Sequence, residues 1–289
     1  MQGRGMRRGP LLMLAATFVL TCMSAAVKVA RAELGVLDIV VWRSLFAVPF
    51  AWWFARGAPL RVERKGLLAV RILLGFGAML CFFTALKGLP LADTNLITKL
   101  QPVLIALGAP LLLGRMERVE PWTWVLLFVG LFGTVVLIAP DLQTGSIWGL
   151  WALASSVLSA GAHIALRGLK GESSAAVVFW LQVAVAVMAL ALALQQYGGV
   201  AVPSRGLWPV LFDVGISAAL GQILMTRAYA LEAAGRVAAV RFVGPIWGVA
   251  FDVIFFGGWP PVHVWMGGIV IVGAGLAATL KKGERVKIS

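Results

Sequence analysis

The chain has 289 residues, of which 61% are hydrophobic and only 13% are charged, and its formal net charge is +13. A soluble domain is about 45–50% apolar and about 25% charged, so this composition predicts an integral membrane protein. The positive charge does not indicate a nucleic-acid partner, because Lys and Arg are spread over alternate loops and form no single patch.

Ten apolar stretches follow one another along the chain, and each has about the 20 residues that a transmembrane helix needs. They leave no room for a soluble catalytic domain. Their approximate bounds are 10–30, 37–55, 67–87, 92–113, 122–139, 146–166, 175–195, 207–229, 237–256 and 262–280.

Lys and Arg are divided unevenly between the alternate loops. One side holds most of them, whereas the opposite side holds only Arg31, Lys87 and Arg205. Because cytoplasmic loops carry the basic excess, this asymmetry predicts that both termini are cytoplasmic. An even number of spans is consistent with that orientation.

The predicted spans form two similar blocks of five. Ala16–Arg31 aligns with Ala152–Arg167, and Pro102 in the fourth span aligns with Pro245 in the ninth. Because each block has an odd number of spans, the second block must be inverted relative to the first. The sequence therefore predicts an all-α membrane protein of ten transmembrane helices, built as two inverted five-helix repeats around a central cavity.

The third span carries large apolar side chains at helical spacing. Phe76, Met79 and Phe83 either form a surface for flat apolar substrates or take part in ordinary packing. The sequence alone leaves both interpretations open.

Polar side chains are concentrated in the fourth span. They either line the substrate cavity or bond to neighbouring helices, with the lysine reaching the outer interface. The members that share one helical face are Asn95, Thr98, Lys99 and Pro102, and Gln101 lies beside them.

The ninth span repeats two features of the fourth. Arg241 lies one residue from the counterpart of Lys99, and Pro245 is the counterpart of Pro102. The two cations either pair with a substrate carboxylate or extend toward opposite interfaces. The two prolines each remove a backbone donor, so they predict kinks that act as hinges.

The sixth and eighth spans carry further polar stripes. Intramembrane polar residues face a cavity or a hydrogen-bonded neighbour, and the sequence does not decide between these roles. The stripes contain Ser159 and His163 in the sixth span, and Gln222, Thr226 and Tyr229 in the eighth.

Several kinds of chemistry have no support in the sequence. Asp93, Asp213 and Asp252 lie near span ends, so no carboxylate relay for protons is expected at the centre of the membrane. Facilitated diffusion or exchange is the expected mode, with His163 as the one titrating group in mid-membrane. No phosphate-binding loop, catalytic cluster or metal-ligand set is found, so neither enzymatic activity nor a cofactor or metal is expected.

Three segments resemble the drug/metabolite transporter superfamily in its ten-span EamA-type form. They are Ala85–Ala92, which ends in a small-residue turn, Leu100–Val103 around Pro102, and Gly130–Gly133. The resemblance covers the whole chain as two EamA-type repeats, 1–141 and 142–289. Within the superfamily the chain most resembles bacterial exporters of aromatic amino acids.

This resemblance implies a secondary transporter in the bacterial inner membrane. It would export small metabolites, amino acids including aromatic ones, by alternating access. An efflux carrier for lipophilic drugs or cations is the alternative. The expected partners are the small-molecule substrate and membrane lipid, with no nucleic acid, and the expected state is a monomer or homodimer.

Overall fold

The computed structural model describes residues 8–57, 59–85, 88, 94, 97–114, 117–138, 147–256 and 262–280. Within these ranges the secondary structure is helical, apart from one isolated bridge between Lys170 and Glu172. The α-helices described are α1 (Arg8–Ala30), α2 (Val36–Phe54), α3 (Lys65–Ala85), α4 (Gln101–Leu113), α5 (Pro121–Ile138), α6 (Ile147–Gly168), α7 (Ser174–Tyr197), α8 (Trp208–Leu231), α9 (Ala234–Val240), α10 (Gly244–Phe256) and α11 (Val262–Leu280).

Six helical segments in the described part are long and apolar enough to cross a bilayer. They are α1, α2, α3, α6, α7, and α8 together with the short 3-10 turn that precedes it. Shorter apolar helices occupy Gln101–Leu113, Pro121–Leu137 and Val262–Ala274. The all-helical membrane fold is thus confirmed, and the remaining four of the ten spans stay predictions.

Two of the predicted spans are interrupted by turns, near the prolines at which the sequence predicts kinks. The chain turns at Lys99–Leu100 before α4, and a 3-10 turn at Arg241–Val243 separates α9 from α10. Pro102 and Pro245 are the second residues of the helices that follow. Proline lacks a backbone N–H and its ring clashes with the carbonyl four residues earlier, so each break lies where its proline requires it.

Large apolar side chains cover much of the outer surface. Leu111 in α4 is 84% exposed, and Ile254 and Ile269 near the other end of the chain are 70% and 71% exposed. In water such continuous apolar surface would be unfavourable, whereas in a bilayer the lipid chains contact it. The exposed leucines and isoleucines therefore agree with a multi-pass membrane protein.

Helices from the first half of the chain pack mainly against helices from the second half. The strongest contacts pair α1 with α8, α3 with α6, α2 with α7, and α5 with α11. In addition, α4 packs against both α6 and α9, and α1 packs against α10. The two halves are therefore interlocked.

A glutamate and a tryptophan hold the loop between α2 and α3. The carboxylate of Glu172 accepts hydrogen bonds from the backbone N–H groups of Glu63 at 3.2 Å and Arg64 at 3.0 Å. The indole N–H of Trp180 donates to the carbonyl of Leu60 at 2.8 Å. These five residues are called the first clasp below.

The loop between α7 and α8 is held in the same way. The carboxylate of Glu33 accepts from both the backbone N–H and the hydroxyl of Ser204. The indole N–H of Trp42 donates to the carbonyl of Ala201 at 2.9 Å, and the N–H of Ala201 donates to Asp38. These residues form the second clasp, which uses the same side-chain types for the same purpose.

Two glycines allow α5 and α11 to approach closely. A Cβ atom added at Gly267 would lie 2.5 Å from the carbonyl oxygen of Gly133 and 2.5 Å from the backbone nitrogen of Leu137. Both atoms belong to a helix backbone and cannot move aside easily. Small residues at such contacts let helix backbones pack tightly inside a membrane.

We expect Gly267→Ala to destabilise the protein because its methyl group would push α11 away from α5. Overpacking of this kind costs about 1–3 kcal/mol, which lowers the melting temperature in detergent by several degrees. Gly268→Ala is the matched control, because a Cβ at Gly268 meets nothing within 4 Å. Equal melting temperatures for the two variants would contradict this account of the contact.

Candidate functional site

Polar side chains from four helical segments meet in the interior of the helix bundle. Gln101 at the start of α4, His163 in α6 and Tyr229 in α8 are buried, and Arg241 in the turn after α9 is half-buried. The rings of His163 and Tyr229 lie 5.5 Å apart. We call these four residues, together with Arg71, Lys99 and Gln222, the polar cluster.

His163 lies at the centre of the polar cluster. Its Nδ1 lies 2.6 Å from the carbonyl oxygen of Ser159 and 2.7 Å from the side-chain amide of Gln101. Its Nε2 lies 3.3 Å from Nη1 of Arg241. A guanidinium group can only donate, so Nε2 accepts from Arg241 and Nδ1 carries the ring proton. That proton points to Ser159 O, which also requires the Gln101 amide to present its oxygen to the ring.

Arg71 extends into the bundle from α3. Its guanidinium runs past Gly75, where an added Cβ would lie 2.7 Å from Nη1, and its Nη2 donates to Oε1 of Gln222 at 3.4 Å. Side chains on a helix normally lean toward its N-terminus. A lysine or arginine in the second turn would therefore be expected to reach the near interface. Arg71 instead extends one turn in the opposite direction, toward the middle of α3.

Three cationic side chains contribute positive charge to the polar cluster. Arg241 repels both Arg71 and Lys99, so it lies within electrostatic range of each of them. The salt bridges recorded among the described residues involve none of them. Arg241 contacts the uncharged ring of His163, and Arg71 donates to the neutral amide of Gln222.

The remaining polar residues predicted from the sequence are placed as follows. Thr226 donates to the carbonyl of Gln222 within α8, and Thr98 is half-buried beside the chain turn before α4. Ser159 contributes its carbonyl to His163. Asn95 lies outside the described residues. At the place of the expected central cavity, described polar side chains contact one another. Two pockets of about 420 Å³ each lie elsewhere, one beside Trp265 and one beside Trp180.

The three large apolar residues of α3 belong to a hydrophobic cluster. Phe76 is buried among residues of α2 and α7 that include Val41 and Leu181, and Met79 and Phe83 pack against the same cluster. Packing is therefore the role that the structure supports for them. Their placement gives no support to the alternative of a substrate-facing surface.

An ionic network closes one end of the bundle next to the polar cluster. Arg167 forms a 2.7 Å salt bridge with Glu117, and their side chains are 11% and 4% exposed. The guanidinium of Arg167 also donates to the carbonyls of Tyr229 and Ala230 at the end of α8. Glu117 accepts the backbone N–H of Ala234 at the start of α9. The pair thus satisfies free groups at two helix ends.

Sequence reasoning missed two parts of this arrangement. Arg71 was not recognised as a candidate because it lies close to the start of a span, where basic residues are common. A signal existed, since an arginine inside an apolar span is rare and usually functional. The pairing of Glu117 with Arg167 joins residues fifty positions apart, and no local pattern announces it.

Comparisons with known proteins place this geometry in a family. The EamA-like transporter family matches residues 7–139. The pseudopaline exporter CntI of Pseudomonas aeruginosa is 30% identical over 282 residues, which cover 96% of this chain and 98% of that protein. The chain belongs to the EamA-like transporter family. The resemblance to the drug/metabolite transporter superfamily is thereby confirmed.

Other EamA-like relatives and a solved structure agree with this assignment. A riboflavin transporter of Brucella anthropi is 25% identical and covers 75% of this chain and 77% of its own length. One crystal structure superposes with a TM-score of 0.80 at 23% identity over 94% of this chain, which shows a shared fold. The chain is accordingly a multi-pass membrane protein of a small-molecule transporter family.

We expect Glu117→Ala to destabilise the protein much more than Glu120→Ala. Removing Glu117 leaves Arg167 buried without its counter-charge, and breaking such a pair costs about 3–5 kcal/mol. The bridge from Glu120 to Arg236 is more exposed, with Glu120 28% accessible, so its loss costs about 1 kcal/mol or less. Thermal unfolding of both variants in detergent tests this ranking, and a smaller loss for Glu117→Ala than for Glu120→Ala would refute it.

Proposed function

We propose that this protein is a secondary transporter that exports small carboxylated metabolites, amino acids among them, across the bacterial inner membrane by alternating access. The observation that carries the proposal is the polar cluster, in which Arg71, Lys99 and Arg241 converge without a carboxylate partner among the described residues. Guanidinium and ammonium groups in a low-dielectric site bind carboxylates strongly.

Helix packing supports the proposed inverted repeat. In an inverted repeat each helix has a counterpart five predicted spans away. The counterparts of α1 and α8 are α6 and α3, and the contact of α1 with α8 and that of α6 with α3 are both extensive. The pairs α2 with α7 and α5 with α11 convert into themselves. An internal two-fold relation between the halves accounts for this pattern.

The two clasps support the same relation. The shift of 136 residues that aligns Ala16–Arg31 with Ala152–Arg167 brings Glu33 within three residues of Glu172 and Trp42 within two residues of Trp180. Each glutamate holds a loop from the opposite half of the chain, and each tryptophan donates to a carbonyl in that loop. With ten alternating spans the two clasps lie on opposite faces of the membrane, as inverted repeats require.

The direction of transport and the substrate class are also proposals. The pseudopaline exporter covers nearly the whole chain and supports export, whereas the riboflavin transporter indicates that the family accepts dissimilar molecules. The preference for aromatic amino acids has weaker support, because Phe76, Met79 and Phe83 pack in a hydrophobic cluster. The cations of the polar cluster disfavour the alternative of a carrier for lipophilic cations.

The breaks at Pro102 and Pro245 support bending during transport. Each break frees backbone groups beside the polar cluster, next to Lys99 in one half and at Arg241 in the other. Discontinuous helices of this kind line the substrate sites of many secondary transporters. We infer that the two prolines act as hinges of the alternating-access movement.

Transport assays with purified protein in liposomes test the substrate class. We expect counterflow of labelled amino acids and no uptake of a lipophilic cationic dye. Arg241→Gln is expected to reduce the rate about tenfold or more, since about 1.4 kcal/mol of lost carboxylate interaction is sufficient for that factor. Arg205→Gln is the control, because Arg205 is exposed in the loop between α7 and α8. Uptake of the dye alone would refute the proposal.

Cysteine labelling in cells tests the inverted topology. Ala32 lies beside the second clasp and Lys170 beside the first, and both residues are exposed. In a chain whose Cys22 and Cys81 are replaced by serine, we expect an impermeant maleimide to label Ala32→Cys in intact spheroplasts. Lys170→Cys should be labelled only after the membrane is permeabilised. Labelling of both positions from the same side would exclude opposite orientations of the two clasps.

A further inference from the structure

Six acidic side chains of the described part are engaged away from the polar cluster. Glu117, Glu120 and Glu232 pair with arginines at the closed end of the bundle. Glu172 and Glu33 accept hydrogen bonds from backbone N–H groups in the first and second clasps. Asp38 accepts the backbone N–H of Ala201 in the second clasp. The fold therefore has carboxylates available, yet it places three cations together without using one of them there.

The cluster also contains buried polar atoms that make no hydrogen bond of good geometry to the described part of the protein. These atoms are Nε of Arg71, which is 4% exposed, and the hydroxyl of Tyr229, which is fully buried and lies near Arg241. A buried polar group left without a partner costs about 1–3 kcal/mol. Two such groups beside the same histidine indicate a site that is complete only when a ligand supplies acceptors.

The position of Arg71 strengthens this interpretation. Its guanidinium extends over Gly75 toward Gln222, so its charge is delivered into the bundle and not to the membrane surface. Gly75 permits this path, because a Cβ atom there would collide with Nη1. Arg71 comes from the first half of the chain and Arg241 from the second, so the two cations approach the site from different directions.

We propose that the transported substrate carries at least two anionic groups, one bound by Arg71 and the other by Arg241 with Lys99. This inference rests on the proposed function and narrows it. A zwitterionic amino acid brings no net charge, so the site would retain all three positive charges within the membrane. Each further anionic group on the substrate removes one of these positive charges. Arginine forms paired hydrogen bonds with both carboxylate and phosphate, so either group satisfies the geometry.

Matched pairs of substrates test the proposal in counterflow assays with the full chain in liposomes. Glutamate and glutamine have nearly the same shape and differ in one carboxylate, and phosphoserine and serine differ in one phosphate. We expect the charged member of at least one pair to be transported about tenfold faster than its neutral partner. The pair that shows the difference identifies the anionic group.

Variants of Arg71 separate a binding role from a structural one. Arg71→Gln is expected to lower transport of the charged member about tenfold more than transport of the neutral member. Arg71→Lys retains the charge and should keep most of the preference, while Arg205→Gln controls for the loss of one cation elsewhere. Size-exclusion profiles confirm that each variant is folded. If Arg71→Gln is misfolded, the preference of the Arg71→Lys and wild-type chains still decides the question.

The outcomes distinguish this inference from the proposed function. Equal transport of the charged and neutral members in both pairs, with Arg71→Gln reducing all four alike, would overturn the requirement for two anionic groups and leave carboxylate export intact. Failure to transport any carboxylated compound would overturn both. A preference for the charged member that disappears in Arg71→Gln would support the inference.

Discussion

The arrangement of this protein depends on the cost of positive charge in an apolar medium. Arg71 is buried inside the bundle and Lys99 and Arg241 are half-buried, so water screens them less than it would at the surface. Arg71 bonds to the neutral amide of Gln222, and Arg241 contacts the neutral ring of His163. Interactions between charges are several times stronger in such surroundings than in water. The fold holds these cations close despite their repulsion. Nearby, it neutralises the buried charge of Arg167 by pairing it with Glu117. The difference between the two arrangements supports the proposal that the polar cluster binds substrate, whereas the pair stabilises the fold.

Much of the fold follows from the sequence because the bilayer imposes a simple rule. Every backbone group must be satisfied within the membrane, so apolar stretches of sufficient length become helices, and the predicted bounds of α1, α2 and α7 agree with the structure within a few residues. Proline at positions 102 and 245 correctly indicated departures from regular helix. It did not indicate their form, because whether a helix kinks or is interrupted by a turn depends on the neighbours that replace the lost hydrogen bonds.

The site was predictable only in part. Helical spacing indicated His163, the polar run of the fourth span indicated Gln101, and the repeat alignment indicated Arg241, because intramembrane polar residues are rare enough to stand out. Spacing along one helix does not reveal which helices meet, so the contact of His163 with both Gln101 and Arg241 required the tertiary structure. Phe76 shows a different limit of sequence-based prediction. An apolar residue in an apolar helix has the same sequence pattern whether it lines a site or, as here, packs against α2 and α7.

The charge of the polar cluster also bears on how transport is driven. Because Nε2 of His163 accepts a hydrogen bond from Arg241, a proton added at that atom would break the contact and place a further positive charge beside the guanidinium. His163 is therefore poorly suited to carry protons while Arg241 occupies this position. Under the proposed function, the same charges would hinder movement of the empty carrier, since three cations without a carboxylate among the described residues would have to pass through the closed state. An anionic substrate would remove that barrier in either direction. A carrier that reorients readily only when it is loaded would perform exchange, so the electrostatics of the polar cluster support the proposal of exchange over uncoupled diffusion.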